Sequence, residues 1–160
     1  MRSLFISTIT VLLVLFTTSC SDDSVSGNED SELVVSITTD PATLIETEEQ
    51  QGTVTIELNR ELPDEGLQIP VTVRASDGSA KPLARFKIAQ FNPAEDIEGA
   101  DLVNGSINPA TLDGFSLSMN SQTAKVFFTV NDDDFDDGPI DVTFSIQGSD
   151  TYLIDEEESS

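Results

Sequence analysis

The chain is 160 residues long, a length that suits one domain with a core of its own. Its 7 Lys and Arg stand against 30 Asp and Glu, a formal net charge of −23, which makes nucleic acid and anionic membrane surfaces poor partners and divalent cations or basic surfaces better ones. With no histidine and a single cysteine, Cys20, it cannot form an internal disulfide or a His-based catalytic or zinc arrangement, and a bound metal would have to be held by oxygen.

The opening residues, MRSLFISTITVLLVLFTTSC, carry one positive charge at Arg2, an apolar run and then small residues before Cys20. The run falls short of the roughly 20 apolar residues that a bilayer-spanning helix requires, so residues 1–19 read as a secretory signal peptide. Thr17-Thr18-Ser19-Cys20 resembles the lipobox of bacterial lipoproteins, with Thr17 where that motif usually has leucine. The resemblance implies that Cys20 becomes the lipid-bearing first residue of the mature chain and anchors it in a membrane; the alternative is an ordinary signal peptide beside a free thiol. Residues 20–32 have no apolar periodicity and are rich in Ser, Asp and Glu, which predicts a flexible tether. The acids directly after the cysteine, Ser21-Asp22-Asp23, resemble the surface-export signal of a group of bacterial lipoproteins. That likeness implies the outer membrane or cell surface of a bacterium.

From Leu33 the chain changes to short alternating runs. Residues 33–38 end at Asp40-Pro41, and Val54, Ile56 and Leu58 alternate with polar neighbours, the period of a half-buried strand. Ile69, Val71 and Val73 form the next such face, which stops at the turn signal Asp77-Gly78; Pro70 lacks an N–H and is expected at a strand start or on an edge. Residues 85–91, RFKIAQF, are read with Phe86, Ile88 and Phe91 inward. Residues 92–114 carry turn signals at Asn92-Pro93, Asn104-Gly105 and Asn108-Pro109 and are read as an inserted loop with one short strand near 102–107. Clean alternation returns in residues 115–119, 124–130 and 140–146. No segment after the signal peptide shows helical periodicity. The expected fold is all-β: an antiparallel Ig-like, Greek-key sandwich of about seven strands over residues 33–154, followed by an acidic tail, 155–160. Little sequence remains after Ile146 for a closing strand.

Five aspartates crowd into VNDDDFDDGP, residues 130–139, at the end of a strand. Such a run is either a solvated turn or a cation site, since packed carboxylates repel one another unless water, protonation or a cation intervenes. It is not an EF-hand loop: counting from Asp132 puts Asp137 at the glycine position and Thr143 at the bidentate-Glu position, and counting from Asp133 puts Phe135 and Phe144 at ligand positions.

Three segments in order resemble the Calx-beta domain, a sandwich of sodium–calcium exchangers and many bacterial surface proteins. They are the acidic lead-in to a Gly-Thr-Val strand at residues 46–54, the Ala75-Ser76-Asp77-Gly78-Ser79-Ala80 turn, and the strand running into the aspartate cluster at residues 128–134. In calcium-binding members these places converge at one end. The resemblance implies a Ca2+ site with Glu49, Asp77, Asp132 and Asp133 as ligands, and with Asp136 and Asp137 where the family usually has glutamates. This chain departs from the family in the insertion spanning most of residues 81–114 and in having no match to the closing strand.

The expected molecule is therefore non-enzymatic: a lipid-anchored protein of the cell envelope whose calcium-linked domain serves adhesion or structural support, with a protein or glycan partner at the cell surface. Paired carboxylates without sugar-stacking aromatics in a cleft do not point to a glycosidase. Two other readings stay open. One is a metal-free module that binds through residues 92–114. The other is a subunit whose open sheet edge is completed by a strand from a partner.

Overall fold

The computed structural model describes residues 32–41, 50–131 and 141–155. Among these residues the chain forms nine strands: β1 (Val34–Asp40), β2 (Gln51–Leu58), β3 (Leu67–Ala75), β4 (Ile97–Glu98), β5 (Ala100–Leu102), β6 (Gly114–Met119), β7 (Thr123–Thr129), β8 (Val142–Ile146) and β9 (Leu153–Ile154). They make a five-stranded sheet in the order β4-β7-β2-β1-β9 and a four-stranded sheet in the order β5-β6-β3-β8. Among the described residues no helix is long and apolar enough to cross a membrane. The signal peptide, Cys20 and the tether lie outside the described residues.

Alternation sets which residues enter the core. Val54, Ile56 and Leu58 of β2, Ile69, Val71 and Val73 of β3, Phe115, Leu117 and Met119 of β6, and Ala124, Val126 and Phe128 of β7 are all buried. Successive strand residues face opposite sides, so a single period-two pattern delivers each set to one face. Burying each large aliphatic side chain stabilises the fold by about 1.5–3 kcal/mol. Phe128 ties the sheets together: its ring lies 5.8 Å from Phe115 and 5.5 Å from Phe144 of the other sheet, and 5.3 Å from Phe86.

Four expectations need correction. Residues 85–91 are not a strand. Two 3-10 turns, Pro82–Arg85 and Ile88–Gln90, flank a single antiparallel bridge between Phe86 and Val130. The proline supplies its fixed φ at the start of the first turn, and fully buried Leu83 anchors it. Phe86 still enters the core, while Ile88 and Phe91 pack against it half-buried.

Residues 92–114 are not a free loop with a strand near 102–107. Asn92 caps a one-turn helix, α1 (Pro93–Asp96), by accepting from the Ala94 N–H, and two short strands follow. β4 joins the edge of one sheet beside β7 and β5 joins the other beside β6, so the insertion straddles the sandwich and brings the strand count above seven. Gly99 makes the crossing. Its φ of +71° suits glycine, and a Cβ there would overlap the Thr123 carbonyl.

Pro70 is neither at a strand start nor on an edge strand. It lies inside β3, which pairs with β6 on one side and β8 on the other. Its nitrogen faces the place where β8 has ended: Gln147 N–H donates to the Pro70 carbonyl at 3.0 Å, but Pro70 has no N–H to return to Gln147. The Tyr152 hydroxyl donates to the Gln147 carbonyl instead, at 2.7 Å.

The sequence after Ile146 does supply a closing strand. β9 pairs in parallel with β1, through Val34 with Leu153 and Val35 with Ile154, and Asp155 N–H donates to the Val35 carbonyl at 2.9 Å. Two residues are too few for alternation to announce a strand; buried Tyr152 holds the segment in place.

Candidate functional site: the Asp77 end of the sandwich

Asp77 stands in the turn that ends β3. Gly78, with φ +74°, donates its N–H to the Ala75 carbonyl, and the Ser79 N–H donates to Asp77 Oδ1 at 2.9 Å. An aspartate that accepts from a backbone amide two residues on is the usual means of closing such a turn. Its other oxygen, Oδ2, accepts from the Arg85 guanidinium at 2.8 Å. The Ser79 amide first, and then Arg85, hold the Asp77 carboxyl below its ordinary value against an opposing effect of partial desolvation.

The same end gathers the borders of the other acidic segments. Val130 N–H donates to the Gln50 carbonyl at 2.9 Å, and Asn131 N–H donates to the Arg85 carbonyl at 2.8 Å. Ser76 N–H donates to the Asp141 carbonyl at 2.9 Å, while Asp141 N–H donates back to Ser76 Oγ at 3.0 Å. Gln50 follows Glu49 directly, Asn131 precedes Asp132, and Asp141 comes after the aspartate run. A continuous path of contacts thus runs from Gln50 through Val130, Asn131, Arg85, Asp77 and Ser76 to Asp141. The pairing of β2 with β7, and of β3 with β8, is what brings these distant residues to one end.

Of the six acids expected as metal ligands, Asp77 is described and the others, Glu49, Asp132, Asp133, Asp136 and Asp137, lie outside the described residues. Among the described residues no three acidic or sulfur ligands cluster closely enough to hold a metal ion.

Arg85 is the functional-site residue that sequence reasoning missed. It was expected in a strand, and nothing in its spacing from Asp77 marks it as a partner. It reaches the carboxylate because the Pro82–Arg85 turn folds the chain back over the end of β3. Ser76, in the sequence one residue of the Ala75–Ala80 turn, bonds to Asp141 through both its backbone and its side chain.

Fold and site together define a small two-sheet β domain with a carboxylate-bearing loop end. The chain matches no protein-family model, no curated protein and no solved structure.

Proposed function

We propose that the chain is a non-enzymatic, lipid-anchored protein of the bacterial cell envelope, carried on Cys20 at the outer membrane or cell surface. Its domain is a Calx-beta-like, Ig-like Greek-key sandwich that binds Ca2+ at the Asp77 end and serves adhesion or structural support towards a protein or glycan partner. One observation carries the calcium reading: Gln50, Asn131 and Asp141, which border the acidic segments, are linked to the Asp77 turn by a chain of hydrogen bonds through Val130, Arg85 and Ser76. Calcium takes six to eight hard oxygen ligands, and Asp77 presents a carboxylate of the right chemistry. The remaining ligands would come from Glu49, Asp132 and Asp133, with Asp136 and Asp137 beside them. A bound ion would offset repulsion among these acids and stabilise the folded chain in proportion to its occupancy.

Titration of the chain with calcium, followed by calorimetry and thermal unfolding, tests this reading. Heat on binding and a rising Tm support it; neither, at millimolar calcium, overturns it. The paired change Asp132→Asn with Asp133→Asn should abolish the calcium-dependent rise in Tm.

The salt bridge between Arg85 and Asp77 favours a second, metal-free reading, in which the guanidinium is the built-in counter-ion of this end. In that case calcium changes nothing, and replacing Asp132 and Asp133 by asparagine is neutral or slightly stabilising through reduced repulsion. Binding then falls to the region of residues 92–114, whose α1, β4 and β5 form a continuous border between the two sheets.

A further inference from the structure

We propose that the outer edge of β8 docks an extended, basic strand of another protein. This inference does not depend on the calcium reading. β8 lies at the end of the four-stranded sheet, with β3 on one side and, among the described residues, no strand on the other. Its hydrogen-bonding phase is settled at both ends: Gln147 N–H donates to the Pro70 carbonyl of β3, and the Asp141 carbonyl accepts from the N–H of Ser76, which directly follows β3. Alternation along the strand then turns Thr143 and Ser145 towards β3, and Val142, Phe144 and Ile146 turn their backbone N–H and C=O outward.

The other outer strands are poor docking edges. β4 and β9 have two residues each and β5 has three, and β4 and β5 each carry an acid within the strand, Glu98 and Asp101. β8 has five residues, VTFSI, with high strand propensity and none of the charges or prolines that usually protect an open edge. An added strand would also give this sheet five strands, like its partner.

Charge selects the occupant. At a net −23, two copies of this chain repel one another, and a strand carrying lysine or arginine is attracted. The chain's own remaining segments are poor donors by composition: residues 21–31 and 156–160 are rich in Ser and acid, and residues 132–140 hold five aspartates and Pro139. Residues 42–49, between β1 and β2 in the sequence, hold three glutamates and no basic residue. The incoming segment would place alternate apolar residues beside Phe144 and Ile146 and its basic residues on the outer face, beside exposed Thr143.

The test adds a short synthetic peptide of alternating valine and lysine to the full chain and follows amide hydrogen exchange residue by residue. Exchange at Val142, Phe144 and Ile146 should slow by about tenfold or more, while Thr143 and Ser145, already paired with β3, change little. Val142→Pro removes an outward donor without touching a bond to β3, and Thr143→Lys sets a like charge beside the basic strand. Both should weaken peptide binding about tenfold or more, with Thr143→Lys deciding the matter if the proline variant fails to fold. No slowing at the three amides, equal binding of a valine–glutamate peptide, or a dimer of the chain joined through β8 would overturn the proposal.

Discussion

The Arg85 guanidinium meets the Asp77 carboxylate at 2.8 Å, and the backbone carbonyl of the same arginine accepts from Asn131. One residue therefore ties the β3 turn to the strand end that leads into the aspartate run. Asp77→Asn removes the charge that Arg85 meets but leaves a side-chain oxygen for Ser79. Because the folded Asp77 carboxyl sits below its ordinary value of 3.8, its contribution is present above that pH and is lost as the pH falls through the lower folded value. Wild type and Asp77→Asn should differ modestly in Tm at neutral pH, and the gap should close in acid. Thermal unfolding across that range checks it; a gap that persists at the lowest pH would assign the effect to packing instead of charge.

Gly99 and Gly78 share a positive φ but differ in what surrounds them. An added Cβ meets nothing within 4 Å at Gly78, whereas at Gly99 it overlaps the Thr123 carbonyl and lies 2.8 Å from Ser121 Oγ. Gly78→Ala should cost about 1–2 kcal/mol from backbone conformation alone. Gly99→Ala should cost more than that, because Thr123 starts β7 and cannot retreat without disturbing its pairing with β2. Urea unfolding of both variants measures the difference, and equal costs would show that the crossing at Gly99 is not tight.

Tyr152 compensates for Pro70. Tyr152→Phe leaves the Gln147 carbonyl without its donor and should cost about 1–3 kcal/mol. Pro70→Val restores an N–H facing Gln147, so the double variant should lose less than Tyr152→Phe does in the wild-type background. A double-mutant cycle by urea unfolding checks this, and strict additivity would contradict it.

Burial raises the pKa of this same tyrosine, the one tyrosine in the sequence. A raised folded value means that its contribution is intact below the ordinary value of 10.0 and is lost as the pH rises past it. Tyrosinate absorbance should therefore titrate above the ordinary value in the folded chain and return to it in urea. The wild type should also lose stability in alkali more steeply than Tyr152→Phe.

Phe128 touches two aromatic rings of the facing sheet, Phe115 and Phe144, and two of the 3-10 segment, Phe86 and Phe91, stacking on Phe91 at 5.4 Å. Phe128→Ala should cost about 3–5 kcal/mol. Phe91→Ala, at a half-buried ring, should cost clearly less, as equilibrium unfolding of the two variants would show.

Alternation in the sequence determined the all-β character, the central strands and most of the core. Val54, Ile56, Leu58, Ile69, Val71, Val73, Phe115, Leu117, Val126 and Phe128 are buried as their period of two requires, because a strand has just two faces and one must leave water. Only tertiary structure decided the rest. The two-residue strands β4 and β9 are too short to carry a period, and exist because β7 and β1 offer them an edge. Pro70 is accepted inside a sheet because Tyr152, distant in sequence, replaces the missing donor. At the acidic end, sequence singled out Asp77 but not Arg85, since an ion pair depends on where a turn returns the chain and not on spacing along it.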